Sequence, residues 1–183
     1  MDEKQAIQQL KSGDVRGLEF LVAGFQVKAV RTAYLITRDA GLAEDIVQDS
    51  FIRACHAIHG FDPSRAFEPW FMRSVVNASL KLIQRQARQV PLEDGSDESF
   101  MQLVERVESV ESQIESFELQ DQVWEAMQTL SPRQRAVIVQ RYFLEMSEAE
   151  MAEDSGTAAG TVKWLLNAAR ERLRGMLAER SEE

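Results

Sequence analysis

The chain has 183 residues, 44% hydrophobic and 28% charged, with a formal net charge of −9 and a single cysteine, Cys55. That balance belongs to a globular chain rather than a disordered one, long enough for one medium core or two small ones. No stretch approaches the roughly 18 to 20 uninterrupted apolar residues of a membrane span, the N-terminal MDEKQAIQQLKSGD has no apolar export core, and a lone cysteine excludes an internal disulfide, so a cytoplasmic protein is expected.

Helical periodicity runs through the first half. Ala43, Ile46, Val47, Phe51 and Ala54 recur at spacings of three and four, as do Phe71, Val75 and Leu82. Turn signals interrupt them at 12–14 (SGD), 38–41 (RDAG) and 60–64 (GFDPS). Four helices are predicted, near 2–11, 15–38, 41–59 and 66–89. Next comes PLEDGSDES, an exposed linker by composition. The second half predicts helices near 117–129, 132–144, 147–154 and 158–178, with Ser131-Pro132 and Met146-Ser147 as N-terminal signals. No alternating β-branched run proposes a sheet, so the expected fold is all-α: a domain over 1–90, an acidic linker over 91–116 and a second domain over 117–183.

Charge is segregated along this plan. Residues 1–90 carry 12 Lys/Arg against 10 Asp/Glu, residues 91–130 carry 1 against 11, and residues 131–183 carry 8 against 9. The acidity therefore belongs to the tether. The stretch SGTAAGTVKWLLNAARERLRGML (155–177) ends the chain in a basic helix. A short helix, an SGT turn and a longer helix form a helix-turn-helix pattern in which Gly156 permits the turn and Thr157 can cap the next helix. Val162, Leu166, Ala169, Leu173 and Met176 then form the buried stripe, leaving Thr161, Lys163, Trp164, Asn167 and Arg170 outward, on the face that would enter a major groove. A solvated helix whose arginines pair with Glu171 and Glu179 is the competing reading of spacing alone.

LSPRQRAVIVQRYFLEMSEAEMAEDSGTAAGTVKWLLNAARERLR resembles the fourth region of bacterial sigma factors. GLAEDIVQDSFIRACHAIHGFD, followed by FEPWFMRSVVNASLKLIQRQAR, resembles their second region. Both together, without a third domain between, resemble an extracytoplasmic-function (ECF) sigma factor over roughly residues 15–178. The resemblance implies binding to core RNA polymerase, promoter DNA read at the minus-ten element by the first domain and at the minus-thirty-five element by the second, and control by an anti-sigma factor. It implies no enzyme activity and no cofactor.

On the AEDIVQDSF helix, Glu44, Asp45, Gln48 and Asp49 form a polar face opposite Ile46, Val47 and Phe51. The resemblance makes it the polymerase contact; the alternative is a set of acids solvating a helix near its N-terminus. The minus-ten site implied is the loop with Asp62, Ser64, Arg65 and Phe67, followed by Arg73, Asn77, Lys81, Arg85 and Arg88 along a basic helix suited to backbone phosphate. Phe61, Phe67, Trp70 and Phe71 could stack unpaired bases; Phe71 and Trp70 are expected in the core instead. The minus-thirty-five contacts implied are Thr157, Thr161, Lys163, Trp164, Asn167 and Arg170. Here the chain departs from the family, which usually continues GTVK with a Ser-Arg pair and a further basic residue where this chain has Trp164, Leu165, Asn167 and Ala168; Asp154 and Ser155 depart as well.

Cys55, His56 and His59, with Asp62 nearby, could be drawn as a metal site. However, Cys55 and His56 point about 100° apart on a helix, no fourth ligand is signalled, and no metal is expected. Two other functions fit the residues: a helix-turn-helix regulator that works without polymerase, and a sigma mimic that titrates an anti-sigma factor.

Overall fold

In a computed structural model, which describes residues 1–86 and 125–180, the chain divides into two units, Met1–Pro91 and Leu92–Glu183. The described residues of both are helical, without strands. The tether expected over 91–116, the start of the helix expected near 117–129, and Arg88 lie outside the described residues.

The first unit opens with α1 (Glu3–Lys11). Asp2 Oδ1 accepts from the Gln5 amide at 2.8 Å while the Asp2 amide donates to Gln5 Oε1 at 3.0 Å, a reciprocal cap. Helix α2 (Arg16–Thr37) follows. A Cβ on Gly17 would collide with the carbonyl oxygen of Ala6, so the glycine lets α1 and α2 touch backbone to backbone. Arg38 ends α2 in the left-handed region at φ 64° and donates its amide to the Tyr34 carbonyl at 2.7 Å. Asp39 then caps α3 (Ala40–Ala57), Oδ1 accepting from the Leu42 amide at 2.9 Å.

The predicted stripe of α3, Ala43, Ile46, Val47, Phe51 and Ala54, is buried. A 3₁₀ turn (Ile58–Gly60) precedes a loop and α4 (Phe67–Gln86). The phenyl rings of Phe51 and Phe71 stack at 4.3 Å, and Phe67 packs on Phe71 at 5.5 Å. Burying each such ring is worth about 1.5–3 kcal/mol, which makes this aromatic column the centre of the first core.

In the second unit, residues 125–128 are helical. Ser131 and Gln134 cap α5 (Pro132–Ile138) reciprocally, with Pro132 at its first turn. The sequence predicted one helix over 132–144; instead a π turn (Val139–Phe143) completes it. The Leu144 amide reaches the Val139 carbonyl at 3.0 Å, five residues back, and Glu145 at φ 55° reverses the chain. This widened turn holds Gln140 buried, its Nε2 donating to Asp154 Oδ2 at 3.2 Å.

Ser147 and Glu150 cap α6 (Glu148–Ser155). Gly156 ends it at φ 61°, as the SGT pattern implied. Helix α7 (Ala159–Arg180) packs on α5 and α6 through Val162, Leu166 and Ala169, all buried, while Leu173 and Met176 are half-buried. Thr157 does not cap α7. The Ala158 carbonyl accepts from the amides of Thr161 and Val162 at 2.8 and 3.3 Å, and Thr157 Oγ1 lies 2.7 Å from Ser155 Oγ, so the two hydroxyls close the turn between themselves.

Candidate protein and nucleic-acid interfaces

Glu44, Asp45, Gln48 and Asp49 are all exposed on α3, directly behind its buried stripe. Asp49 is paired with Arg53 one turn on at 3.3 Å, a surface contact worth little by itself. Beside these acids, between α2 and α3, lies an open cleft of about 490 Å³ lined by Val22, Gln26, Val30, Glu44, Gln48 and Ile52 among others. Ile52 is 56% exposed. The surface is therefore acidic with an apolar floor, which suits a basic partner that also buries aliphatic groups. Sequence reasoning found the acids and missed the floor. Its one local signal was Ile52, an apolar residue out of phase with the stripe.

The loop before α4 presents Asp62, Pro63, Ser64, Arg65 and Ala66 to solvent between two buried phenylalanines, Phe61 and Phe67. Asp62 Oδ1 accepts from the Ser64 amide at 2.9 Å, the Asp62 carbonyl accepts from the Arg65 amide at 3.1 Å, and Arg65 Nε lies 3.8 Å from Asp62 Oδ2. The Ser64 hydrogen bond holds the Asp62 carboxyl below its ordinary range.

Phe67 corrects the sequence expectation. Although grouped with the loop as a base contact, it opens α4 inside the helix predicted near 66–89, is 1% exposed, and packs among Phe25, Phe61, Trp70 and Phe71, so its ring is already enclosed and presents no face to a base. Trp70 is half-buried against Phe61 at 4.9 Å. Arg73, half-buried, and Asn77, Lys81 and Arg85, exposed, follow along α4 at four-residue intervals and form one ridge. Two residues that no local signal marks also reach this loop: Lys11 Nζ donates to the Phe61 carbonyl at 2.7 Å, and Glu3 Oε1 accepts from the Phe67 amide at 3.0 Å.

On the second unit Thr157, Thr161, Lys163, Trp164 and Asn167 are exposed, Trp164 at 66%. Arg170 is half-exposed and already engaged: its Nε donates to Tyr142 Oη at 2.8 Å, and its guanidinium lies 5.7 Å from the ring centroid. Tyr142 escaped the sequence reading because the π turn sets its direction. Two further arginines hold backbone, Arg135 Nη1 donating to the Leu130 carbonyl at 2.7 Å and Arg141 Nη1 to the Met146 carbonyl at 2.9 Å. Leu165 and Ala168 are half-buried at the rim of the α7 stripe.

These surfaces belong to an all-helical protein with exposed acids beside a partly apolar cleft on one unit and a helix-turn-helix on the other. Residues 21–89 match Sigma-70 region 2 and residues 120–173 match Sigma-70, region 4. The chain is 30% identical over 181 residues to the ECF RNA polymerase sigma factor SigW of Bacillus subtilis (strain 168), covering 96% of this chain and 97% of that one. Among solved structures, CnrH in complex with the cytosolic domain of CnrY shares the fold at a TM-score of 0.64 and 24% identity, over 97% of this chain and 99% of that one. The sigma factor RpoE in complex with the anti-sigma factor NepR from Bartonella quintana shares it at 0.63 and 20%, over 87% and 96%. The chain belongs to the ECF sigma factor family, and its function is that of an alternative sigma factor in transcription initiation.

Proposed function

We propose that this sigma factor docks on core RNA polymerase through Glu44, Asp45, Gln48 and Asp49 with the adjoining α2–α3 cleft, and reads the minus-ten element with Asp62, Ser64 and Arg65. Arg73, Asn77, Lys81 and Arg85 follow the phosphate backbone, and Thr157, Thr161, Lys163, Trp164, Asn167 and Arg170 face the minus-thirty-five element. The observation that carries this assignment is the first unit's division of labour. Its acids and its exposed loop with the α4 ridge stand on different elements of one core, so a protein and a nucleic acid can be engaged together.

Contacts from the loop specify while those from the ridge position. The domain division at 1–90, 91–116 and 117–183 follows the same roles. Nucleotide addition is the polymerase's chemistry; this chain contributes binding and orientation, in the cytoplasm. Among the described residues no helix is long and apolar enough to cross a membrane. Since structures of the same fold carry an anti-sigma factor or a partner's cytosolic domain, we assign the release of a cytosolic anti-sigma domain as the regulatory step.

Run-off transcription with purified core polymerase tests the assignment. A defined start site that appears with the parent chain and disappears on charge reversal at Asp45 and Asp49 supports it. Defined initiation that survives the reversal overturns the docking face.

A further inference from the structure

The loop between Phe61 and Phe67 is tied at both ends to a helix that lies more than 45 residues before it. Lys11 Nζ holds the Phe61 carbonyl at 2.7 Å and Glu3 Oε1 holds the Phe67 amide at 3.0 Å, both in part-buried settings. Glu3 and Lys11 are the first and last residues of α1, about 12 Å apart along its axis at 1.5 Å per residue. The five residues between the ties are exposed, and the bonds from Asp62 to Ser64 and Arg65 are internal to the loop, so they shape it without fixing how it sits on the core.

The anchor itself is packed into the core. Ala6 and Ile7 are fully buried, and Gly17 brings the α2 backbone against α1 at Ala6. The tie at Phe67 uses an amide of the first turn of α4, a group without a partner inside its own helix and favoured by a negative charge. The Asp62 carboxyl is held low first by its hydrogen bonds from Ser64, and the Lys11 ammonium at the Phe61 tie adds a smaller pull in the same direction.

We propose that α1 is a strap that sets the orientation of the base-reading loop, with Glu3 and Lys11 as positioning residues that govern minus-ten base preference without touching DNA. This rests on the loop's assignment above as the base reader. The physical reason is that a contact set displaced by about 1 Å loses most of its selectivity, and the two ties fix the backbone directions through which residues 62–66 enter and leave.

The test uses the full chain bound to core RNA polymerase, with duplex promoter fragments that differ at single minus-ten positions and binding read by fluorescence anisotropy. Glu3→Ala and Lys11→Met break the ties, Glu3→Gln and Lys11→Arg keep an acceptor and a donor, and Arg65→Ala tests the loop itself. In the first two variants, discrimination between preferred and substituted fragments falls roughly three- to tenfold, the worth of one net hydrogen bond. Polymerase affinity stays within about twofold, since α3 is untouched, and the conservative variants retain the parent's discrimination.

Parent-like discrimination in Glu3→Ala and Lys11→Met, alongside its loss in Arg65→Ala, overturns the strap and leaves the loop assignment standing. A loss of affinity equal on every fragment also overturns it, because a purely stabilising helix gives that result. No effect of Arg65→Ala overturns the loop assignment, and the strap with it. Should Glu3→Ala fail to fold, Lys11→Met, which removes a single side-chain bond to a carbonyl, decides.

Discussion

Tyr142 and Arg170 meet across 28 residues on the second unit, the arginine Nε donating to the phenol oxygen at 2.8 Å with the guanidinium over the ring at 5.7 Å. Arg170 also lies 3.5 Å from Asn167 Oδ1. The tyrosine stands on the π turn that completes α5, so an irregularity in one helix orients a side chain on the helix proposed to face DNA. Tyr142→Phe keeps the ring and removes the oxygen. We expect minus-thirty-five affinity to weaken roughly two- to fivefold, the cost of losing one exposed preorganising hydrogen bond. Tighter binding by the variant, measured by anisotropy, would show that Tyr142 withholds Arg170 from DNA.

Reversing charge with Asp45→Lys and Asp49→Lys is expected to abolish association with core polymerase while changing folding stability by no more than about 0.5 kcal/mol, because both positions are exposed. The reversal removes the surface pair of Asp49 with Arg53. Pull-down on core polymerase with a parallel urea melt separates the two effects. Unchanged polymerase affinity in a folded double variant removes the docking face from α3.

Between Lys163 and Arg170 the sequence of α7 carries no other cation. The positions after Lys163 carry Trp164, Leu165, Asn167 and Ala168 instead. For the full chain on a minus-thirty-five duplex we expect roughly two to four phosphate contacts, read as a slope of log affinity on log salt of about −0.9 per contact. Leu165→Arg with Ala168→Arg should steepen the slope, since both positions are half-buried at the rim of the stripe, where a long side chain can extend outward. A parent slope equivalent to six or more contacts would place another face of α7 on the DNA.

Two glycines carry distinct costs. Gly156→Ala forces a Cβ into the left-handed region at φ 61°, with open space around it, and should cost about 1–2 kcal/mol. Gly17→Ala must part α1 from α2 against the Ala6 backbone, an overpacking cost of about 1–3 kcal/mol or more. Denaturant melts rank them. If the strap assignment holds, only Gly17→Ala also lowers minus-ten discrimination, because α1 carries the ties to the loop.

Apolar spacing and turn signals together placed the predicted helices of the first unit close to their observed bounds within the described residues, and predicted the α3 stripe and the Val162, Leu166 and Ala169 part of the α7 stripe, whose Leu173 and Met176 are half-buried. Helix faces are encoded locally: a residue's neighbours at three and four positions decide whether it points inward. The turn at Gly156 was legible for the same reason, since φ near +60° favours glycine. The resemblance of two motifs in order supplied the family. The sequence groups Phe67 with the loop's base contacts although the helix predicted near 66–89 already holds it; its burial against Phe25, Phe61 and Phe71 comes from tertiary packing. The π turn carries Gln140 to Asp154, 14 residues on, and Tyr142 stands on that turn, a placement no local spacing signals. Glu3 and Lys11 read locally as a helix start and a helix end. Only the packing of α1 against α2, through Gly17, carries them to a loop 50 and 64 residues away, because which distant backbone groups a side chain can satisfy is settled by how helices stack and not by their order along the chain.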